Sequence, residues 1–510
     1  MNSTIMLIIV LVYFLGLLFI AHYTSRNSDN QSFFIGNKKS KWWVVAFGMI
    51  GTSLSGMTFI SVPGTVGNVG FSYFQVVIGY WIGYFIVAFV LLPIYYKMNL
   101  TSIYTYLEKR LGVNAHKTGA VFFILSRTVG ATLRLYLVIK VLEIFILKDL
   151  GISFEITAVV IMILILLYTY RGGVKTIVWT DTLQTTFMLL ALVISLVYVS
   201  NLMDLSLFES WKVATNEGLT QTFNLNVNEG GFFLKQIIGG MFITIAMTGL
   251  DQEMMQKNIS VSNLKDSQKN MSVMGTLQMV VVFIFLFLGS ILTLYAQSQG
   301  MAITAGDDLF PTIALKSGLP FFISICFIIG LISALFPSAD GALTALTSSF
   351  CIDILGLNPK DPEKEKQKKI TKTRLTVHSV FALIFLLFIF FFREIDNGSL
   401  IDILLKLAGF TYGPLLGLFA FGILTKRVTN GYKPLIVSLI SLILTLILDM
   451  VNNYSWYQDK LGWDESTRTN MAQICNSLFS DYKIGVELIL INGLLTFIGL
   501  WIVSKRKSEN

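Results

Sequence analysis

The stretch Arg171-Gly-Gly-Val-Lys-Thr-Ile-Val-Trp-Thr-Asp181-Thr-Leu-Gln184 decides how the rest of the chain is read. It opens on a basic, glycine-rich turn and runs directly into an apolar segment. At 1.5 Å per residue, Asp181 lies about six residues, or ~9 Å, inside a helix built on that segment. A carboxylate at such depth in a membrane is expensive and by default has a partner and a task. The cheapest partner is a cation. The local reading is a membrane helix that carries a cation-handling carboxylate.

Composition extends this reading to the whole chain. Of 510 residues, 54% are hydrophobic and 13% charged, with a mean hydropathy of +0.70; a soluble chain carries about 25% charged residues. Thirteen apolar stretches are candidates to cross about 30 Å of hydrocarbon: 4–23, 42–63, 71–96, 118–147, 154–170, 176–200, 236–252, 272–297, 319–350, 377–392, 400–425, 434–451 and 484–504. The first has no basic residue before it and no small-residue cleavage motif after it, so it is expected to stay as a helix rather than leave as a signal peptide. Cys326, Cys351 and Cys475, and likewise His22, His116 and His378, show no paired or metal-ligand spacing. No disulfide framework is expected, and no metal beyond Na⁺. No nucleophile–base constellation speaks for an enzyme, and two interrupted helices around one site argue against a continuous channel pore.

The loops set the orientation. With the N-terminus outside, the connections 26–41, 97–117, 171–175, 257–269, 360–374, 426–433 and 505–507 fall inside and hold 26 lysines and arginines, against 8 in the outside connections. That bias is a positive-inside signal. It accounts for the net charge of +8 without nucleic acid. The run Lys360–Arg374 reads as a solvated cytoplasmic loop facing anionic lipid.

Two spans are interrupted at similar depth. The second, Phe47-Gly-Met-Ile-Gly-Thr-Ser-Leu-Ser-Gly-Met-Thr-Phe-Ile-Ser-Val-Pro-Gly64, is punctuated by glycine and hydroxyl residues. A break near Leu54 would free backbone carbonyls in mid-membrane, which is tolerated only where protein or a polar cavity satisfies them. Bound Na⁺ would do so, since hard cations take oxygen ligands; close packing of small residues explains the glycines equally well. In the ninth span, Pro337 frees a carbonyl near Ser333 and Ala334, and Ser338 and Asp340 offer side-chain oxygens beside it. Paired interrupted helices at mid-depth point to a transporter binding site.

On these motifs the chain resembles the sodium:solute symporter family, which includes sodium–galactose, sodium–proline and sodium–sialic acid symporters. Gly172-Gly-Val-Lys-Thr-Ile-Val-Trp-Thr-Asp-Thr-Leu-Gln184 is similar to the family's GG-x-x-A-V-x-W-T-D-x-x-Q segment. Gly249-Leu-Asp-Gln-Glu-Met-Met-Gln-Lys257 is similar to its G-x-D-Q-x-x-x-Q-R segment, and Phe410-Thr-Tyr-Gly-Pro-Leu-Leu-Gly417 to its F-T-x-G-P-L-L-G segment. The resemblance implies an all-α membrane protein of the LeuT-type 5+5 inverted-repeat fold. Residues 1–41 would form an extra N-terminal helix and cytoplasmic loop, 42–200 the first repeat, 201–235 an external loop, 236–426 the second repeat and 427–510 two C-terminal helices ending inside.

The resemblance also implies sites. A common sodium site falls on the carbonyls of Gly51, Leu54 and Ala334 and the Ser338 hydroxyl; the family usually has a second hydroxyl where this chain has Pro337. A second sodium site falls on Asp181, Ser338, Asp340 and Gly341. Substrate candidates are Ser53, Ser55, Thr58, Tyr73, Gln75, Thr244 and Arg134, with Arg127 as rival to Arg134. A guanidinium at that depth suits bidentate carboxylate recognition. The expected function is Na⁺-coupled import of a small organic solute by alternating access, leaning to a carboxylate-bearing solute such as sialic acid. Hexose symport and a proton-coupled permease of the same fold stay open. Na⁺ is the coupling ion, and no other cofactor is expected. The lipid bilayer of a plasma (inner) membrane is the surrounding partner, nucleic acid is none, and a monomer suffices for this reading.

Overall fold

A chain this apolar satisfies its backbone amides within helices, because hydrocarbon offers them no partner. The computed structural model describes residues 3–25, 29–35, 38–303, 305–316, 319–359, 361–394, 400–462 and 464–506, and these are overwhelmingly helical. The main helices are α1 (Ser3–Thr24), α2 (Trp42–Ser53), α3 (Gly56–Val69), α4 (Tyr73–Lys97), α5 (Val113–Leu142), α6 (Phe154–Tyr170), α7 (Thr176–Leu202), α8 (Leu207–Asn216), α9 (Phe233–Gly249) and α10 (Gln252–Ile259). They are followed by α11 (Leu264–Ser298), α12 (Phe321–Ser349), α13 (Lys364–Glu394), α14 (Leu400–Leu424), α15 (Lys433–Asn452) and α16 (Leu488–Val503).

Among the described residues, nine helices are long and apolar enough to cross a membrane, and 11 spans result if each of two bent pairs counts as one. The bent pairs are α2 with α3, at 55°, and α9 with α10, at 64°. Two shorter apolar helices, α6 and α16, lie at the remaining positions read from the sequence. The backbone from Phe154 to Leu202 is helical almost throughout, but Gly173 adopts φ 52°, ψ −147° and separates α6 from α7. Phe33 packs so closely that a Cβ on Gly173 would collide with its backbone, so both the turn and the contact demand glycine.

Helix α12 packs chiefly on the α6–α7 unit and also touches α2, α3 and α10, while α4 packs along α9 and α14 along α16. The bent pair α2–α3 is thereby enclosed by α7, α11 and α12. These contacts place the α2–α3 break inside the bundle, whereas the ninth span, expected to be interrupted at Pro337, is the single continuous helix α12.

Three expectations are revised. The seventh span ends at the bend after Gly249, and the polar sequence Gln252–Ile259 is a fully buried helix rather than the start of a loop. Lys257, counted among the inside loop charges, is 2% exposed. Most of the basic run 360–374 is helical, forming the first turns of α13, because lysine, glutamate and glutamine are good helix formers; Lys360 lies outside the described residues. Within the 201–235 connection, α8 starts with a capping box in which Ser206 and Glu209 satisfy each other's backbone amides. Those hydrogen bonds hold the exposed Glu209 carboxyl below its ordinary range.

Candidate functional site

The break between α2 and α3 follows from its sequence. Leu54 leaves the helix at φ −85°, ψ 19°, and Ser55 turns the chain at φ −1°, ψ 167°. The amides of Thr58 and Phe59 both bond to the Ser55 carbonyl. The carbonyls of Gly51 and Leu54 accept no backbone hydrogen bond among the described residues. Gly51 sits where helices converge: a Cβ there would collide with the Thr185 hydroxyl of α7 and lie 3.6 Å from Pro337 Cγ of α12. Ala334 and Ser338, on the turn around Pro337, are buried. The end of α2 thus lies against the Pro337 turn of α12, an arrangement whose oxygens can hold a hard cation.

Asp181 has a partner that sequence reading did not find. Its Oδ2 accepts from Lys257 Nζ at 2.7 Å and from Thr52 Oγ1 at 3.0 Å. Lys257 Nζ also donates to Thr52 Oγ1 at 2.7 Å and to Glu253 Oε1 at 3.4 Å. Its three donors are therefore all used. Asp181 Oδ1 has no hydrogen-bond partner among the described residues. A side chain at Gly341 would collide with Glu253 and approach within 3.1 Å of Lys257 Nζ, so glycine gives the network its room. Asp340 Oδ2 accepts from Tyr168 OH at 2.8 Å and its Oδ1 from the Gly341 amide at 2.5 Å.

The network continues through Glu253 to Arg127, whose Nη2 donates to Glu253 Oε2. Arg127 Nη1 lies 3.9 Å from Asp251 Oδ2. Asp251 caps α10 by accepting from the Glu253 and Met254 amides, and accepts from Tyr412 OH at 2.8 Å. The bend before α10 is what delivers Asp251, Glu253 and Lys257 together into the interior. Their order in sequence was legible, but the fold was needed to bring them to Asp181.

Beside this network, and lined in part by its Thr52 and Arg127, lies a cavity of about 90 Å³. Ser53, Ser55, Thr58, Tyr73, Arg134 and Thr244 all line it. Gln75 does not: it is fully buried, donates to the Ser72 and Gly231 carbonyls, and accepts from the Asn224 amide, so it ties the 201–235 connection to α4. The two arginines divide clearly. Both line the cavity and both have a buried Nε with no hydrogen-bond partner among the described residues, but Arg127 is ion-paired whereas Arg134 makes no ion pair there. Tyr80, Tyr84, Thr248 and Gln278 also line the cavity and were not singled out from sequence. Tyr84 OH and Ser53 Oγ donate to Gln278 Oε1 at 2.5 and 2.8 Å. The spacing Tyr73, Tyr80, Tyr84 repeats at helical intervals and was the available signal.

Comparison with known proteins agrees with this architecture. The Sodium:solute symporter family profile matches residues 33–431. The chain is 23% identical over 444 residues to the sodium/sialic acid symporter SiaT of Proteus mirabilis, covering 83% of this chain and 85% of that protein. It is 24% identical to the sodium/sialic acid symporter NanT of Aliivibrio fischeri, over 80% of each. A solved structure of a Na⁺-coupled sialic acid symporter, substrate-bound, outward-open and described as having a novel Na⁺ site, superposes with TM-score 0.79 at 20% identity over 99% of both chains. That likeness gives the fold, and the profile spans most of the sequence. With its two bent helix pairs and buried network of charged side chains, this multi-pass membrane protein belongs to the sodium:solute symporter family, and it is a transporter rather than an enzyme.

Proposed function

We propose that the chain imports a carboxylate-bearing solute such as sialic acid, coupled to Na⁺ and by alternating access. The observation that carries this reading is Arg134, 8% exposed, lining the cavity without an ion-pair partner among the described residues while Arg127 is paired. An unpaired guanidinium at that depth costs several kcal/mol, and a substrate carboxylate is its natural complement. Ser53, Ser55, Thr58, Tyr73 and Thr244 would read the rest of the molecule by hydrogen bonds, with Gln75 acting only through the outer connection.

Na⁺ at the carbonyls of Gly51, Leu54 and Ala334 and the Ser338 hydroxyl would hold α2 and α12 together and order the cavity. A second ion at Asp181, with Ser338, Asp340 and Gly341 around it, would compete with Lys257 for the carboxylate. On this reading the chain crosses the membrane thirteen times, with the N-terminus outside and the C-terminus inside, as two inverted five-helix repeats (42–200 and 236–426). Residues 1–41 precede them, an external 201–235 connection joins them, and two helices follow in 427–510. A plasma (inner) membrane monomer is sufficient for this.

The test is uptake into proteoliposomes of sialic acid, simple monocarboxylates and hexoses, with a Na⁺ gradient or with choline replacing Na⁺. Acid uptake that needs Na⁺ is expected. Uptake of hexoses but not acids would overturn the substrate reading, and pH-driven uptake in choline would make the coupling ion a proton.

A further inference from the structure

We propose that the Thr185 hydroxyl is a ligand of the common sodium site, supplying from α7 the oxygen that Pro337 cannot supply from α12. The inference rests on the reading of that site given above. Hard cations draw about six oxygens, whereas the site as read offers three carbonyls and one hydroxyl. Pro337 lies in the wall of this site and carries no oxygen on its side chain.

Thr185 is distinguished by what its hydroxyl does not do. Threonines inside a helix usually bond back to the carbonyl four residues earlier, and five of the other six in α6 and α7 do so, namely Thr157, Thr169, Thr180, Thr182 and Thr186, while the Thr176 hydroxyl accepts from Thr24. Thr185 does not. Its Oγ1 is fully buried, in a residue 0% exposed, and has no hydrogen-bond partner among the described residues. A buried orphan hydroxyl is unfavourable by about 1–3 kcal/mol, so its orientation needs a reason. The hydroxyl is aimed at Gly51, so close that a Cβ on Gly51 would collide with it, and that same Cβ position is 3.6 Å from Pro337 Cγ. The Gly51 carbonyl is itself without a backbone hydrogen bond. The Thr185 hydroxyl of α7 and the backbone of Gly51, with its free carbonyl, thus meet beside Pro337 of α12. A cation satisfies both at once, whereas each alone would remain a cost. The absence of a side chain at Gly51 is what permits the approach.

The experiment is Na⁺-dependent thermal stabilisation of the purified full chain, titrated at constant ionic strength with K⁺. Thr185→Val removes the hydroxyl at nearly constant volume and should raise the Na⁺ concentration for half-maximal stabilisation about tenfold, the scale of one contact to a charge. Thr185→Ser should stay within about twofold of the parent. Thr185→Cys, with a soft sulfur that serves hard cations poorly, should behave like the valine variant and stands in for it if that variant is not recovered folded. Adding Pro337→Ser to Thr185→Val should restore most of the lost affinity. Ser338→Ala separates the two levels of the argument. If Ser338→Ala weakens Na⁺ binding while Thr185→Val and Thr185→Cys leave it unchanged, the Thr185 assignment is wrong and the site stands. If none of the three shifts the half-point, the site itself has been misplaced. A lower melting temperature in K⁺ with an unchanged Na⁺ half-point would mark Thr185 as structural and overturn the proposal.

Discussion

Two arginines seven residues apart on α5 have opposite circumstances, and that contrast yields the first prediction. Arg127 is held by Glu253 and Asp251; Arg134 lines the cavity with no ion pair among the described residues. Arg134→Gln should therefore weaken binding of a carboxylate solute by about 2 kcal/mol or more, roughly thirtyfold, with little change in stability without solute. Arg127→Gln should do the reverse, because it leaves Glu253 with only the longer contact to Lys257, 3.4 Å, and removing one partner of a buried pair costs about 3–5 kcal/mol. Solute binding and melting temperature, measured on both variants, separate the roles; a normal solute affinity in Arg134→Gln removes the anion hypothesis. Lys257 gives the second prediction. It already neutralises Asp181, so Lys257→Gln leaves that carboxylate dependent on an added cation. The variant should be less stable in Na⁺-free buffer and stabilised more steeply by Na⁺ than the parent, in melting curves across a Na⁺ series. Identical curves would mean that Na⁺ does not compete with Lys257. Sequence showed the depth of Asp181 because depth is only a count of residues along one helix. Its partner was hidden because Lys257 lies 76 residues away in sequence on a segment whose polarity reads as loop.

At the scale of elements, what was legible follows from length and apolarity. Each of the thirteen stretches coincides with helical structure, and the break in the second span lies at Leu54 and Ser55, where glycines and hydroxyls had marked it. The second bent pair was not read. Polar Gln252–Ile259 looks solvated, yet it is buried because α10 packs among α2, α11 and α12 and spends its polar side chains on other buried groups. Its start depends on Asp251, which accepts from two α10 amides and from Tyr412 of α14. Replacing an N-cap aspartate by alanine costs about 1–2 kcal/mol. Asp251→Ala should lower the melting temperature and, by loosening the helix that carries Glu253 and Lys257, alter the Na⁺ dependence of that temperature. Asp251→Asn keeps the cap and should be milder, while Tyr412→Phe removes one hydrogen bond worth about 1 kcal/mol and should leave Na⁺ dependence near normal. Equal effects from Asp251→Ala and Asp251→Asn would show that the cap is not what positions α10.

For the whole molecule, the decisive quantity is the charge moved per transport cycle. A monoanionic solute carried with one Na⁺ moves no net charge, and with two Na⁺ it moves one positive charge inward. Each elementary charge crossing 100 mV is worth about 2.3 kcal/mol, so an inside-negative potential would favour accumulation about fiftyfold in the second case and not at all in the first. On the proposed reading, the buried carboxylate Asp181 decides between them. If it releases Lys257 and carries a second Na⁺ inward, uptake should rise with an imposed K⁺-diffusion potential. Asp181→Asn keeps the shape but loses the charge, so it should turn uptake into an electroneutral process that still needs Na⁺ through the site at Gly51, Leu54, Ala334 and Ser338. The measurement is solute uptake into proteoliposomes at zero and at inside-negative potential, for parent and variant, with the Na⁺:solute ratio taken from parallel isotope fluxes. Potential-driven uptake in the parent that disappears in Asp181→Asn supports two coupled ions. Uptake by the parent that ignores the potential would mean that Lys257 never leaves Asp181 and that the chain carries its second cation as a fixed side chain, with one Na⁺ transported per solute.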